Sequence, residues 1–114
     1  MLTIEKLKEF GADTEAGLTR CMNNKEFYFR LIGMAAKDPN FEKLEIALAM
    51  EEPDDAFEAA HALKGVLGNL ALTPLFEPAN EMCELLRGRT EMDYDPLLEQ
   101  LMQAKAQLDA LLAE

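Results

Sequence analysis

Ala59-Ala60-His61-Ala62-Leu63-Lys64-Gly65-Val66-Leu67-Gly68-Asn69-Leu70 is the stretch from which the rest of the chain can be read. Ala56, Ala60, Leu63, Leu67 and Leu70 recur at spacings of four, three, four and three, the pattern of a helical stripe turned to a core. At roughly 100° per residue, His61 lies roughly 140° from the centre of that stripe and is predicted to face solvent. It is the only histidine in the chain.

Gly65 and Gly68 follow four and seven residues later, on the histidine's own face. A glycine inside a helix costs about 1 kcal/mol relative to alanine. Two of them strip side chains from the surface around the ring, so that a partner backbone or a bulky group can approach it closely. Lys64 is one turn along on the same side. A phosphoryl group on the imidazole would bring about two negative charges, which an ammonium within reach offsets. Free imidazole, with a pKa of about 6.5, is a competent nucleophile near neutral pH. A surface histidine, a neighbouring lysine and a pair of glycines at a helix crossing are each ordinary. Gathered on one face, they point to a phosphorylation site.

Outward from this segment, turn residues divide the chain into helices. Gly11 to Asp13 ends a first short helix carrying Ile4, Leu7 and Phe10, and Asp13 can cap a second. Asn23-Asn24 breaks before a third, which runs through Phe27, Leu31 and Met34. Asp38-Pro39-Asn40 stops that helix, with Asn40 as a cap for a fourth that holds Leu44, Ala47, Leu48 and Met50. It ends near Glu51-Glu52-Pro53, and the fifth runs from Asp54 toward Leu70. Thr73-Pro74 reads as cap and first helical residue of a sixth helix reaching about Gly88. Asp95-Pro96 repeats the signal for a last helix running almost to Glu114, with an apolar stripe of Leu97, Leu98, Leu101, Met102, Leu108, Leu111 and Leu112.

No stretch alternates with period two, so the expected fold is all-α: an antiparallel four-helix bundle with additional short N-terminal helices, one domain over residues 1–114. The third, fifth, sixth and seventh helices are the longest or most periodic and are expected to form the bundle, with the first, second and fourth packed at one end.

A composition of 49% hydrophobic and 29% charged residues is enough for both a core and a solvated surface. The net charge of −11 argues against nucleic acid and anionic membrane as partners. No apolar run is long enough to span a membrane, and Met1 to Lys6 has no apolar signal region, so the default location is the cytoplasm. Cys21 and Cys83 sit in no metal-ligand spacing and read as small buried hydrophobes. The seven methionines read as core filling. Arg87-Gly88-Arg89 places positive charge at a helix end, where it suits the dipole. Asp54, Phe57 and Leu72 fall near His61 on the wheel, as a docking rim or, for Phe57, as an edge of the core. No metal site is apparent, nor a glycine-rich nucleotide loop after a strand, which argues against a complete histidine kinase.

The segment resembles the signature of histidine phosphotransfer (HPt) domains: a histidine, Lys three on, Gly four on, then small residues, with Asn and an apolar residue following. His61, Lys64, Gly65, Gly68, Asn69 and Leu70 match. The Ala59-Ala60 lead-in, the apolar helix after Thr73 and the long closing helix also look like the family. The resemblance implies a bundle that shuttles phosphate between receiver-domain aspartates. His61 would be the phospho-accepting nucleophile and Lys64 the group that stabilises the phosphoryl charge. Gly65 and Gly68 would keep the docking surface open, and Asn69 would orient local groups there. Many members have glycine two residues after the Asn; this chain has Ala71, with little effect expected. The chain itself would need no cofactor, since Mg²⁺ and the acidic residues of phosphoryl transfer belong to the receiver. Implied partners are response-regulator receiver domains, with a hybrid histidine kinase as a further candidate. Nothing in the amphipathic pattern demands a dimer, so a monomer is expected. Two alternatives stay open: a helical adaptor that is never phosphorylated, and a small enzyme using His61 as general base. The second would need a concave pocket and a group that orients the ring.

Overall fold

Short polar residues start most of the early helices. In the computed structural model, which describes residues 1–114, α1 (Ile4–Phe10) is capped by Thr3 and closed by Gly11 at φ 113. Asp13 accepts from the Ala16 N–H at the start of α2 (Thr14–Arg20), and Asn24 from the Phe27 N–H at the start of α3 (Lys25–Ala36). The α4 helix (Asn40–Ala49) is held by Asp38 rather than by Asn40. The Asp38 carboxylate accepts from the Asn40 N–H at 2.8 Å and from its side-chain amide at 2.9 Å. The last three helices, α5 (Pro53–Asn69), α6 (Thr73–Arg87) and α7 (Asp95–Ala113), each carry Pro in the first turn. There proline's fixed φ helps and its missing N–H is no loss. Thr73 and Asp95, expected as caps, are themselves the first helical residues.

The chain is all-helical, and no helix is long and apolar enough to cross a membrane. The bundle is built from α4, α5, α6 and α7. The α5 helix packs most extensively against α6 and α4, and α6 against α7. Lys105 of α7 lies 5.3 Å over the Phe41 ring of α4. The α4 helix, expected at one end, thus packs along α5 as a bundle member, while α3, expected in the bundle, packs more lightly, against α7 and α2. The turn between α4 and α5 is only three residues, with Glu51 at φ 54, and folds α4 back along α5. Small buried residues on the two helices, Ala47 on one and Ala56, Ala59 and Ala60 on the other, let their backbones come close. Helix length favoured α3, but close approach decides the partner.

The α3 helix also buries a different face from the expected one. Tyr28, Ile32, Ala35 and Ala36 are inside, Phe27 and Leu31 are half-buried, and Met34 is exposed. Tyr28 can be fully buried because its hydroxyl donates to the Leu70 carbonyl at 2.8 Å. Gly17 of α2 leaves the room, since a Cβ there would overlap the Tyr28 ring. Of the methionines expected in the core, Met1, Met22, Met34, Met50 and Met92 are exposed, whereas Met82 is fully buried.

The stripe of Ala56, Ala60, Leu63, Leu67 and Leu70 is buried throughout. Beyond Asn69 the Ala71 N–H bonds to the Gly68 carbonyl at 3.1 Å and the Leu72 N–H to the Leu67 carbonyl at 3.0 Å. This is the paired closure of a helix whose next residue is left-handed. Ala71 has φ 56, a left-handed value that alanine adopts at a cost and glycine would not. The expectation of little effect there needs correction.

Candidate functional site

His61 lies in the middle of α5 on its solvent side, exposed, with buried Ala60 and Leu63 on the opposite face. Two contacts orient the ring. The Phe57 ring, one turn earlier, stacks on it with centroids 5.7 Å apart and planes 13° from parallel. The sulfur of Cys83, buried on α6, is 3.9 Å from Nδ1. Nδ1 thus faces α6, and Nε2 is the nitrogen away from that contact. Phe57 is half-buried and serves both core edge and histidine. The other two rim candidates stand elsewhere: Leu72 is fully buried beyond the helix end, and Asp54 pairs with Arg89 at 2.9 Å.

Lys64 is engaged with Glu84 on α6, Nζ to Oε1 at 3.0 Å. Arg87 donates from Nε to the other oxygen of Glu84 at 3.3 Å, and its guanidinium lies 5.0 Å over the Phe57 ring. The hydrogen bond and charge of Lys64, then the charge of Arg87, hold the Glu84 carboxyl below the usual carboxylate range.

Gly65 and Gly68 differ. A Cβ built on Gly65 meets nothing within 4 Å, so the surface beside His61 is bare. A Cβ on Gly68 would come within 2.9 Å of the Phe76 ring of α6. Gly68 thus admits a neighbouring side chain as well as lining the surface. Asn69 is exposed at the end of α5, and its side chain makes no hydrogen bond. Its carbonyl accepts from Arg20 Nη1 at 3.2 Å, and the Gly68 carbonyl accepts from the same atom at 2.7 Å. Arg20, His61, Lys64, Gly65, Gly68, Asn69 and Phe76 line one open cleft of about 410 Å³. A larger cavity, about 690 Å³, lies between the α4–α5 turn and the α6–α7 connection and does not include His61.

Arg20, Phe76, Cys83 and Glu84 were missed in the sequence because they come from other helices. One signal points to three of the α5–α6 contacts. If the chain is folded back at residue 72, equidistant positions meet: Phe57 with Arg87 at fifteen residues, His61 with Cys83 at eleven, Gly68 with Phe76 at four.

A helical bundle presenting a histidine in mid-helix, with a lysine one turn on and open surface beyond, defines a class: phosphotransfer domains that work through histidine. The chain belongs to the Hpt domain family, whose model matches residues 38–114, all of α4 to α7. Members of that family are phosphocarriers in phosphorelays, meeting receiver domains and kinases. Helices α1 to α3, which bring Arg20 to the cleft, lie outside the match. No curated protein and no solved structure matches the chain.

Proposed function

We propose that this chain carries a phosphoryl group on His61, taken from the aspartyl phosphate of one receiver domain and passed to the aspartate of another. The observation that carries the reading is the exposed His61 beside a bare Gly65, with Lys64 one turn away. In the transfer the Nε2 lone pair attacks phosphorus. The P–O bond to the aspartate breaks, and its electron pair leaves with the carboxylate. A free Nε2 lone pair puts the imidazole proton on Nδ1, toward the Cys83 sulfur. Lys64 then offsets charge on the phosphoryl oxygens. Mg²⁺ and the catalytic carboxylates belong to the receiver, so the chain has no catalysis of its own. It works as a monomer in the cytoplasm, with receiver domains and a hybrid kinase as partners.

The test is transfer from a receiver domain charged by a small phosphodonor with Mg²⁺ present, read as intact mass. The expected result is one phosphoryl group that is lost in acid and never appears on the His61→Gln variant. Binding of receivers without transfer would replace this reading with that of an adaptor.

A further inference from the structure

A phosphoryl group on His61 would find Lys64 already engaged. In the unphosphorylated chain its ammonium is bound to Glu84 at 3.0 Å. Glu84 sits on α6 next to Cys83, whose sulfur is 3.9 Å from the His61 ring. Glu84 is held by Lys64, one turn from His61, and by Arg87, which lies over the Phe57 ring stacked on His61, so the carboxylate belongs to the surface that a phosphoryl group on His61 would occupy. We infer that Glu84 is a positioning residue that competes with the phosphoryl group for Lys64, and that it sets how readily His61 gives its phosphate away. This inference rests on the phosphocarrier reading of His61.

The arrangement around Glu84 makes an exchange of partners feasible. Its second oxygen is already bound by Arg87 at 3.3 Å, and Arg87 is itself held over the Phe57 ring. When Lys64 turns toward a phosphoryl group, Glu84 keeps one cation and is not left unpaired. The pair is half open to solvent, with side-chain exposures of 29% for Lys64 and 50% for Glu84, so no buried charge is stranded by the exchange. Glu84 acts against the phosphorylated state in two ways: it withholds the ammonium, and it adds a like charge nearby. A carrier benefits from both, because a phosphoryl group held too well is not passed on. The Glu84 carboxyl, held below the usual carboxylate range by Lys64 and Arg87, is ionised at neutral pH, so the competition operates there.

The experiment measures the equilibrium partition of phosphate between a receiver aspartate and His61, for the intact chain, Glu84→Gln, Lys64→Met and the double variant. Glutamine keeps the shape and the helix, and position 84 is exposed, so folding is retained; circular dichroism checks it. Glu84→Gln is expected to shift the partition toward phosphorylated His61 by about two- to five-fold, the range an exposed ion pair carries. In the Lys64→Met background the shift should shrink to less than half of that. A phosphorylated chain on which Glu84→Gln has no effect overturns the inference alone. So does an equal shift with and without Lys64, which would leave only direct repulsion. A chain that takes no phosphate on His61 overturns both this inference and the reading on which it rests.

Discussion

Replacing Gly65 by alanine should make the protein more stable and a worse phosphate carrier. Gly65 is helical and exposed, and a Cβ there meets nothing within 4 Å. The folded state thus gains the whole helix preference of alanine, about 0.8–1 kcal/mol. At about 2.1 cal/mol/K of unfolding entropy per residue, that raises the Tm of a 114-residue chain by about 4 °C. The same methyl group stands one turn from His61, on the face a receiver must cover. Forcing an extra methyl into a close-packed contact costs about 1–3 kcal/mol, which is roughly 5- to 150-fold in the affinity of the complex. Thermal unfolding and the initial rate of transfer from a phosphorylated receiver measure the two effects separately. A Gly65→Ala variant that is more stable and transfers at the original rate would refute the claim that Gly65 leaves room for a partner. Gly68→Ala supplies the contrast. Its new Cβ meets Phe76 at 2.9 Å, so the helix preference is offset by overpacking and the Tm should not rise.

Ala71→Gly should stabilise the chain by about 0.5–1 kcal/mol, because φ 56 is a strained value for alanine and a free one for glycine; urea unfolding reads it directly. Burial is the main reason the Tyr28 phenol is pushed up to about 12, with the nearby Cys21 and Asp13 adding to it. Between the ordinary pKa of 10 and that value the folded chain keeps a proton that the unfolded chain has lost. The Tyr28 contribution is therefore complete below pH 10 and falls by about 2–3 kcal/mol as pH rises through 12. Unfolding followed across that range should show the loss, and Tyr28→Phe, less stable at neutral pH, should lack it. Arg20→Gln removes a charged donor from the Gly68 and Asn69 carbonyls and should cost about 0.5–1.5 kcal/mol in urea unfolding.

The helices were legible because proline, glycine and short polar residues fix where a helix can begin and end. The face of α5 was legible because Ala56, Ala60, Leu63, Leu67 and Leu70 follow a single period. The face of α3 was not, because Tyr28 reads as amphipathic until its hydroxyl is seen to reach the Leu70 carbonyl. Nor was the partner of α5 on the α4 side, where alanines permit close packing and helix length carries no weight. At the site, His61, Lys64 and Gly65 share one helix, so their common face follows from helical geometry. Cys83 and Glu84 arrive from α6 and Arg20 from α2, 20 to 48 residues along the chain from the α5 residues they contact. The placement of Cys83 and Glu84 depends on how the hairpin turns at Ala71, a local backbone choice that alanine does not advertise.

Because the chain has one histidine, the imidazole nitrogens can be read from it alone. The most direct measurement is a long-range ¹H–¹⁵N correlation spectrum of the labelled protein before and after charging by a phosphorylated receiver. On phosphorylation Nε2 of His61 is expected to shift and couple to phosphorus while Nδ1 keeps its proton. A chain that gains phosphate mass with both His61 nitrogens unchanged would contradict it.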